Sequence, residues 1–239
     1  MFMSTHSKPL LGKMKLFSFR GLFIIQMICW SFKAIGQPVS TKTFFMNVGA
    51  IAGPSWSFLH GAPSVDNGPN STRSIKHGFI LGLAGTHQIS DRINLDIIAL
   101  YELKGSKLYT IGTQTPVSMD FQYHYVTLPL TLNYEWGARH RFSTGLGVFG
   151  GYLFKQVQTE SQSVVGSVFT TDVTGQSKAL DFGLTAQVKY LIKIKGGWTL
   201  TPRLLWELGL QNTGINLYPG LGIYTNTTSV SIEFSKQSK

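Results

Sequence analysis

The sequence predicts an all-β chain: an eight-stranded antiparallel up-and-down transmembrane β-barrel over residues 37–239, behind a signal peptide over residues 1–36. Three observations predict it. Apolar and polar residues alternate with period two through eight segments. The links between those segments alternate long and short. Charged residues make up only 13%, against about 25% in an ordinary soluble domain.

The first 36 residues read as a targeting segment. Lys13, Lys15 and Arg20 precede an apolar run over 21–32, and Ala34-Ile35-Gly36 supplies small residues two apart, so processing is expected between Gly36 and Gln37. The run is shorter than the roughly 20 residues a spanning helix needs. Met14 already opens a complete signal and is an alternative start. The only cysteine, Cys29, lies inside the apolar run after Ile28, without the small residue that precedes a lipid-modified cysteine. The mature chain then has neither disulfides nor thiol chemistry. Five of the 21 basic residues and none of the acids fall in this segment, which leaves 16 bases against 11 acids. Those bases are scattered along the sequence, so no nucleic-acid partner is expected.

The strands follow in order. Segments 44–58 and 76–88 are interrupted by glycine, as tightly curved barrels require, and can be read on either face. In 93–102, Ile93, Leu95, Ile97, Ala99 and Tyr101 oppose Asn94, Asp96, Ile98, Leu100 and Glu102. In 126–136, Val126, Leu128, Leu130, Leu132, Tyr134 and Trp136 oppose Thr127, Pro129, Thr131, Asn133 and Glu135. Segment 142–154 sets Leu146, Val148 and Tyr152 against Gly145, Gly147 and Gly151. Segment 182–192 sets Phe182, Leu184 and Val188 against Thr185, Gln187 and Lys189. Segment 198–210 sets Leu204, Trp206 and Leu208 against Arg203, Leu205 and Glu207, and 230–234 sets Val230, Ile232 and Phe234 against Ser231 and Glu233.

Link lengths give the topology. Short links at 90–92, 137–140 and 195–197 separate long ones at 61–74, 105–120, 156–177 and 211–222. Strict alternation, long first, is what an up-and-down outer-membrane barrel requires when both termini lie in the periplasm. The rival is a soluble lipocalin-like barrel, apolar inside and polar outside. Against it, the less apolar face carries Gly, Ser, Thr and Asn rather than the Lys and Glu of a solvated surface. Aromatics also recur near strand ends, at Tyr134, Trp136, Tyr152, Phe154, Tyr190, Trp198 and Phe234, where interfacial girdles belong.

Four stretches carry a family resemblance. Tyr125-Val126-Thr127-Leu128-Pro129-Leu130-Thr131-Leu132-Asn133-Tyr134 resembles the Y-x-x-I-P-L-L-L-K-Y strand of the outer-membrane β-barrel (PorT-like) family of Bacteroidota. Gly145-Leu146-Gly147-Val148-Phe149-Gly150-Gly151-Tyr152 is similar to its G-x-G-P-Y-x-G-Y strand, with Val148-Phe149 in place of Pro-Tyr. Tyr101-Glu102-Leu103-Lys104-Gly105 is similar to its Y-s-x-K-G strand end, and Leu180-Asp181-Phe182-Gly183-Leu184 to its x-D-F-G-L strand. The ordered matches span about residues 44 to 236, and Phe234 stands five residues before the last residue rather than at it. The resemblance implies an outer-membrane location, with outer-membrane lipid, lipopolysaccharide and the barrel-assembly machinery as partners.

Chemistry is sparse. His60, His77, His87, His124 and His140 stand singly without ligand spacing. The His-x-Ser pair of outer-membrane lipid A deacylases has no counterpart, and Ser57 and His60 are three apart, the wrong spacing for one strand face. No catalytic, cofactor-binding or metal-ligating residue is expected. Asp96, Glu102, Glu135, Lys189, Arg203 and Glu207 are expected to face the lumen. Arg203 and Glu207 share a face, and the lumen charges are expected to form a satisfied ion-pair plug rather than a gated proton or ion path, because unpaired charge in a narrow lumen is costly. Eight strands leave no aqueous channel. The expected function is that of a monomeric structural or binding protein that meets an extracellular ligand through four external loops. Residues 156–177, with Val164, Val165, Val168 and Phe169, form the longest and most apolar of these. The alternative is a lipid-modifying enzyme of the membrane surface, which would need Ser, His and a carboxylate together at one loop end.

Overall fold

The computed structural model of the chain describes residues 46–60, 71–110, 117–137, 141–162, 167–213 and 224–237. All of them lie in one compact unit over residues 44–239; the expected signal peptide lies outside the described residues. The strands are β1 (Met46–His60), β2 (Ser71–Gln88), β3 (Ile93–Thr110), β4 (Val117–Trp136), β5 (Phe142–Gln162), β6 (Ser167–Asp172), β7 (Leu180–Tyr190), β8 (Ile192–Lys193), β9 (Trp198–Gly209) and β10 (Tyr224–Gln237).

Eight of these close a ring in which β1, β2, β3, β4, β5, β7, β9 and β10 each pair antiparallel with the next, and β10 returns to β1 from Asn47↔Gln237 to His60↔Tyr224. Closure leaves the ring without an edge. The two remaining strands are accessories: β6 pairs with the far end of β5, and the two-residue β8 with β9. The expected eight-stranded up-and-down barrel is therefore observed.

The wall is polar inside and apolar outside. At mid-strand on β4, Leu130 is 39% exposed while its neighbour Thr131 is 0% exposed. The same contrast runs round the ring, with Val148, Leu184, Leu204 and Ile232 outward and Gln187, Arg203 and Ser231 buried inward. A lipocalin would show the reverse. The two glycine-rich strands now have definite faces. Ile51, Ser55 and Ser57 of β1 and Lys76, Ile80 and Ala84 of β2 are buried, while Val48, Phe58, Phe79, Leu81 and Leu83 are exposed. Glycine permits the tight wall: a Cβ on Gly147 would stand 1.9 Å from the Leu130 carbonyl oxygen on the neighbouring strand.

Aromatic rings mark two levels on the outer face. At the short-turn end, Tyr134 meets Trp136 edge-on at 4.8 Å and Trp198 stacks on Phe234 at 4.5 Å. At the other level Tyr101 contacts Phe79, Phe154 and His124, whose Nδ1 lies 2.7 Å from the Tyr101 hydroxyl. Ten residues of β4 separate Tyr134 from His124. At about 3.3 Å per residue and a tilt near 40° this is about 25 Å, the height of an outer-membrane apolar band.

The strands run on beyond that band, where the sequence indicated loops. Residues 105–110 continue β3 and 117–120 open β4, so both ends of the expected 105–120 loop are strand. Residues 156–162 continue β5, and its partner β6 lies inside the expected 156–177 loop. Register shifts in the β2–β3 pairing between Ile75 and Ile80, and in the β4–β5 pairing at His124/Tyr125, mark the transition. At the same level Gly105 takes a φ of 156°, and a Cβ there would meet the Phe121 carbonyl oxygen at 2.0 Å. A residue with a side chain fits neither the backbone angle nor the space.

Candidate functional site

Two surfaces offer chemistry: the lumen and the loop-end sheet. In the half of the lumen nearest the short turns, Asp96 of β3, Lys189 of β7, and Arg203 of β9 are buried together with Glu233 of β10. Lys189 Nζ lies 2.8 Å and Arg203 Nη1 3.4 Å from Asp96 Oδ2, and Arg203 Nη2 donates to Glu233. Gln187 donates to Asp96, Thr131 and Asn133 at 2.9, 2.5 and 2.6 Å and accepts from Arg203 at 2.9 Å. Thr86 completes the shell by donating to Asp96 at 2.8 Å. Two acids thus meet two bases, which is what makes burial of charge tolerable. Towards the turns a polar cavity of about 280 Å³ opens, lined in part by Asn94, Glu135 and Lys193. Glu135 is half-buried there and accepts from Asn94 at 2.7 Å.

An apolar layer follows. Ile51, Ile80, Ala84, Ile98, Leu100 and Leu205 form one buried cluster. By strand order it lies between Asp96 and Glu102 on β3, and between Arg203 and Glu207 on β9.

Above it, Lys104 Nζ lies 2.8 Å from Glu102 and 2.7 Å from Glu207. The faces of Tyr125 and Phe149 cover the ammonium, with centroids at 5.4 and 4.9 Å. Asp181, buried close by, accepts from Thr225 at 2.6 Å. Glu102 Oε1, Glu207 Oε1, Asp181 Oδ1, the Tyr125 hydroxyl and Thr127 Oγ1 have no hydrogen-bond partner among the described residues. Leu59, Tyr123, Tyr125 and Leu153, with Phe121 against them, close the next level.

Five of the six lumen charges read from the sequence are buried inside, and Glu135 lies at the mouth. Arg203 and Glu207, although they share a face, do not pair with each other. Arg203 pairs with Asp96 and Glu233, and Glu207 with Lys104, because the Leu205 layer separates them. Lys104, Asp181 and Glu233 were missing from the expected lumen set. Lys104 extends the Glu102 alternation by one step, and Asp181 and Glu233 stand on the polar faces of their strands, so the signal was present in the period. The Ser57 hydroxyl donates to the Gly105 carbonyl at 3.0 Å and accepts from the Gly105 N–H at 2.7 Å. The His60 side chain lies outside the described residues. Among the described residues, no group of three or more His, Cys, Asp or Glu is arranged to hold a metal ion.

The loop-end sheet is built from the far parts of β2 to β5 and from β6. Lys76 and Asp120 pair at 2.5 Å near its base. β6 pairs with β5 from Val157↔Asp172 to Gln162↔Ser167, and Val168 and Phe169 are exposed on it. The Asp172 carboxylate accepts from the Thr174 hydroxyl at 2.6 Å and the Thr174 N–H at 3.0 Å, which holds its carboxyl below the usual range. Thr174 Oγ1 in turn accepts from the Gln156 N–H at 2.9 Å, so one threonine ties the end of the hairpin to its base. Val164 and Val165 lie outside the described residues.

Comparison with known proteins gives one family match. The model of a family described as "Outer membrane protein beta-barrel domain" matches residues 45–213. No curated protein sequence matches the chain. Among solved structures, Neisserial surface protein A shares 10% identity and a TM-score of 0.43, over 79% of this chain and 95% of that one. Ail, the attachment invasion locus protein of Yersinia pestis, solved with the heparin analogue sucrose octasulfate, shares 10% identity and a TM-score of 0.38, over 80% and 98%. The outer membrane protease OmpT of Escherichia coli shares 9% identity and a TM-score of 0.40, over 83% and 99%.

Proposed function

The chain belongs to the outer membrane protein β-barrel domain family, and from that premise we propose that it is a monomeric outer-membrane barrel with a plugged lumen that works as a structural or binding protein through its loop-end sheet. Its location is the outer membrane. The observation that carries the proposal is the sheet itself: β3, β4 and β5 continue past the aromatic level as paired strands, and β6 adds exposed Val168 and Phe169. Exposed apolar residues on a rigid, hydrogen-bonded frame are the composition of an interaction surface. The lumen supports the plug reading, because charged clusters fill it on both sides of an apolar layer. The four motif stretches support assignment to the PorT-like members, and the basic and apolar N-terminal pattern supports export by a cleaved signal.

Two measurements test the proposal. A photo-crosslinking residue at Phe169 is expected to form a discrete adduct on intact cells, whereas one at Leu130 is expected to label lipid. Absence of any Phe169 adduct, with normal surface display, would remove the binding role. In planar bilayers the barrel is expected to show no steady conductance, and stable open channels would remove the plug.

A further inference from the structure

The short-turn rim carries a charge pattern that the sequence does not display. Arg92 of the first turn, Arg141 at the base of β5, Lys193 of β8 at the lumen mouth, Lys195 of the third turn, and Lys236 near the end of β10 are all exposed. They come from four separate places in the chain, and ring closure gathers them on one rim. Of the described acids at this end, Asp91 alone is fully exposed, since Glu135 is half-buried and Asp96 and Glu233 face inward. Among the described, not fully buried residues of the opposite end, Lys107, Lys155 and Lys178 stand against Asp120, Glu160 and Asp172.

Two of these bases, Arg92 and Lys236, sit at a definite depth. Arg92 donates to the Tyr134 hydroxyl at 3.1 Å. Lys236 Nζ stands 5.5 Å from the centroid of Trp198, which is stacked on Phe234. Tyr and Trp settle at the level of lipid headgroups, so bases anchored on these rings are held where headgroup phosphates lie. A ring of cations at phosphate depth, next to an uninterrupted apolar wall, fits one partner by charge: an anionic phospholipid in the leaflet that surrounds the short turns.

We infer that this rim is a docking collar for anionic phospholipid headgroups, with the aromatic girdle as its floor. It selects lipid by headgroup charge and sets the barrel's vertical position in the leaflet. The inference concerns the end of the molecule opposite the proposed binding surface and stands independently of it.

The test uses the refolded full chain in mixed phosphatidylcholine–phosphatidylglycerol vesicles, with either lipid brominated in turn and tryptophan quenching as the readout. Brominated phosphatidylglycerol is expected to compete for the rim tryptophans about fivefold better than brominated phosphatidylcholine, the factor expected for one basic contact per lipid. The preference is expected to vanish at about 1 M salt, where screening acts within about 3 Å. It should also vanish when Arg92, Arg141, Lys193, Lys195 and Lys236 are all replaced by Gln, and persist when Lys107, Lys155 and Lys178 are. These positions are exposed, and the salt series on the unaltered chain gives an answer even if the fivefold variant refolds poorly. Equal quenching by both lipids at low salt overturns the inference. So does a preference that survives in the rim variant.

Discussion

The two charged layers of the lumen solve the same problem in different ways. Near the short turns, Asp96 and Glu233 face Lys189 and Arg203, and Gln187 ties the set together. Beyond the apolar layer, Glu102, Glu207 and Asp181 gather round Lys104 alone, and several of their oxygens find no protein partner. The first layer is redundant at its centre, since Asp96 and Arg203 each touch more than one partner. The second hangs on a single ammonium. The comparison teaches that buried charge in a barrel can be stabilised by a network or by one central residue, and that the two should fail differently.

The largest expected effect is therefore at Lys104. Lys104→Met leaves three buried carboxylates without a cation and should cost about 3–5 kcal/mol, the range for breaking a buried pair from one side. Urea-dependent refolding into vesicles measures it, and adding Glu102→Gln and Glu207→Gln should restore part of the loss. A cost no larger than that of Lys189→Met, which leaves Asp96 still bonded to Gln187, Thr86 and Arg203, would erase the distinction between the layers.

The wall that encloses both layers is tested next. Leu130→Arg places a charge against lipid at mid-band and should cost about 2–4 kcal/mol. Leu130→Ala removes packing alone and should cost clearly less in the same assay. Equal costs would mean that the outer face does not meet hydrocarbon, and the reading of both layers as a lumen would need revision.

A smaller effect separates the layers by sign. Glu233→Gln weakens the hold on Arg203 and should destabilise by about 1–3 kcal/mol. Glu207→Gln relieves like-charge crowding with Glu102 and should be neutral or stabilising within about 1 kcal/mol. Destabilisation of similar size at both positions would show that the second layer is as well balanced as the first.

The smallest effect lies outside the barrel, on the β5–β6 hairpin. The Asp172 carboxyl is depressed by its bonds from Thr174, so its contribution is present above the ordinary carboxyl range and is lost as pH falls through the depressed value. Amide exchange at Val173 and Thr174 should quicken over that acid range, and Asp172→Asn should remove the pH dependence without changing exchange in β4. A pH-independent profile in the unaltered chain would break the assignment.

Much of this architecture is legible in the residues. The faces of 126–136, 142–154, 182–192 and 198–210 follow from period-two alternation, and the ring order follows from link lengths, because both are local consequences of a wall between lipid and a narrow interior. The same reasoning explains what was missed. Past the aromatic level the outward face is no longer uniformly apolar, so 105–110, 117–120 and 156–162 carry no sustained alternation and read as loops although they are strands. Glycine hid the faces of β1 and β2 for a related reason, since a residue without a side chain marks neither side.

By itself the sequence determined which residues point inward, and so which charges would have to be compensated there. The tertiary structure alone decided who compensates whom. Arg203 and Glu207 are neighbours on one face in the sequence, yet the stagger of the closed ring brings Glu233 and Asp96 to the first and Lys104 to the second, with Leu205 between them. The gathering of Arg92, Arg141, Lys193, Lys195 and Lys236 on one rim has the same origin. Periodicity is a property of single strands, whereas contacts across the lumen and round the rim depend on register and closure, which no single strand encodes.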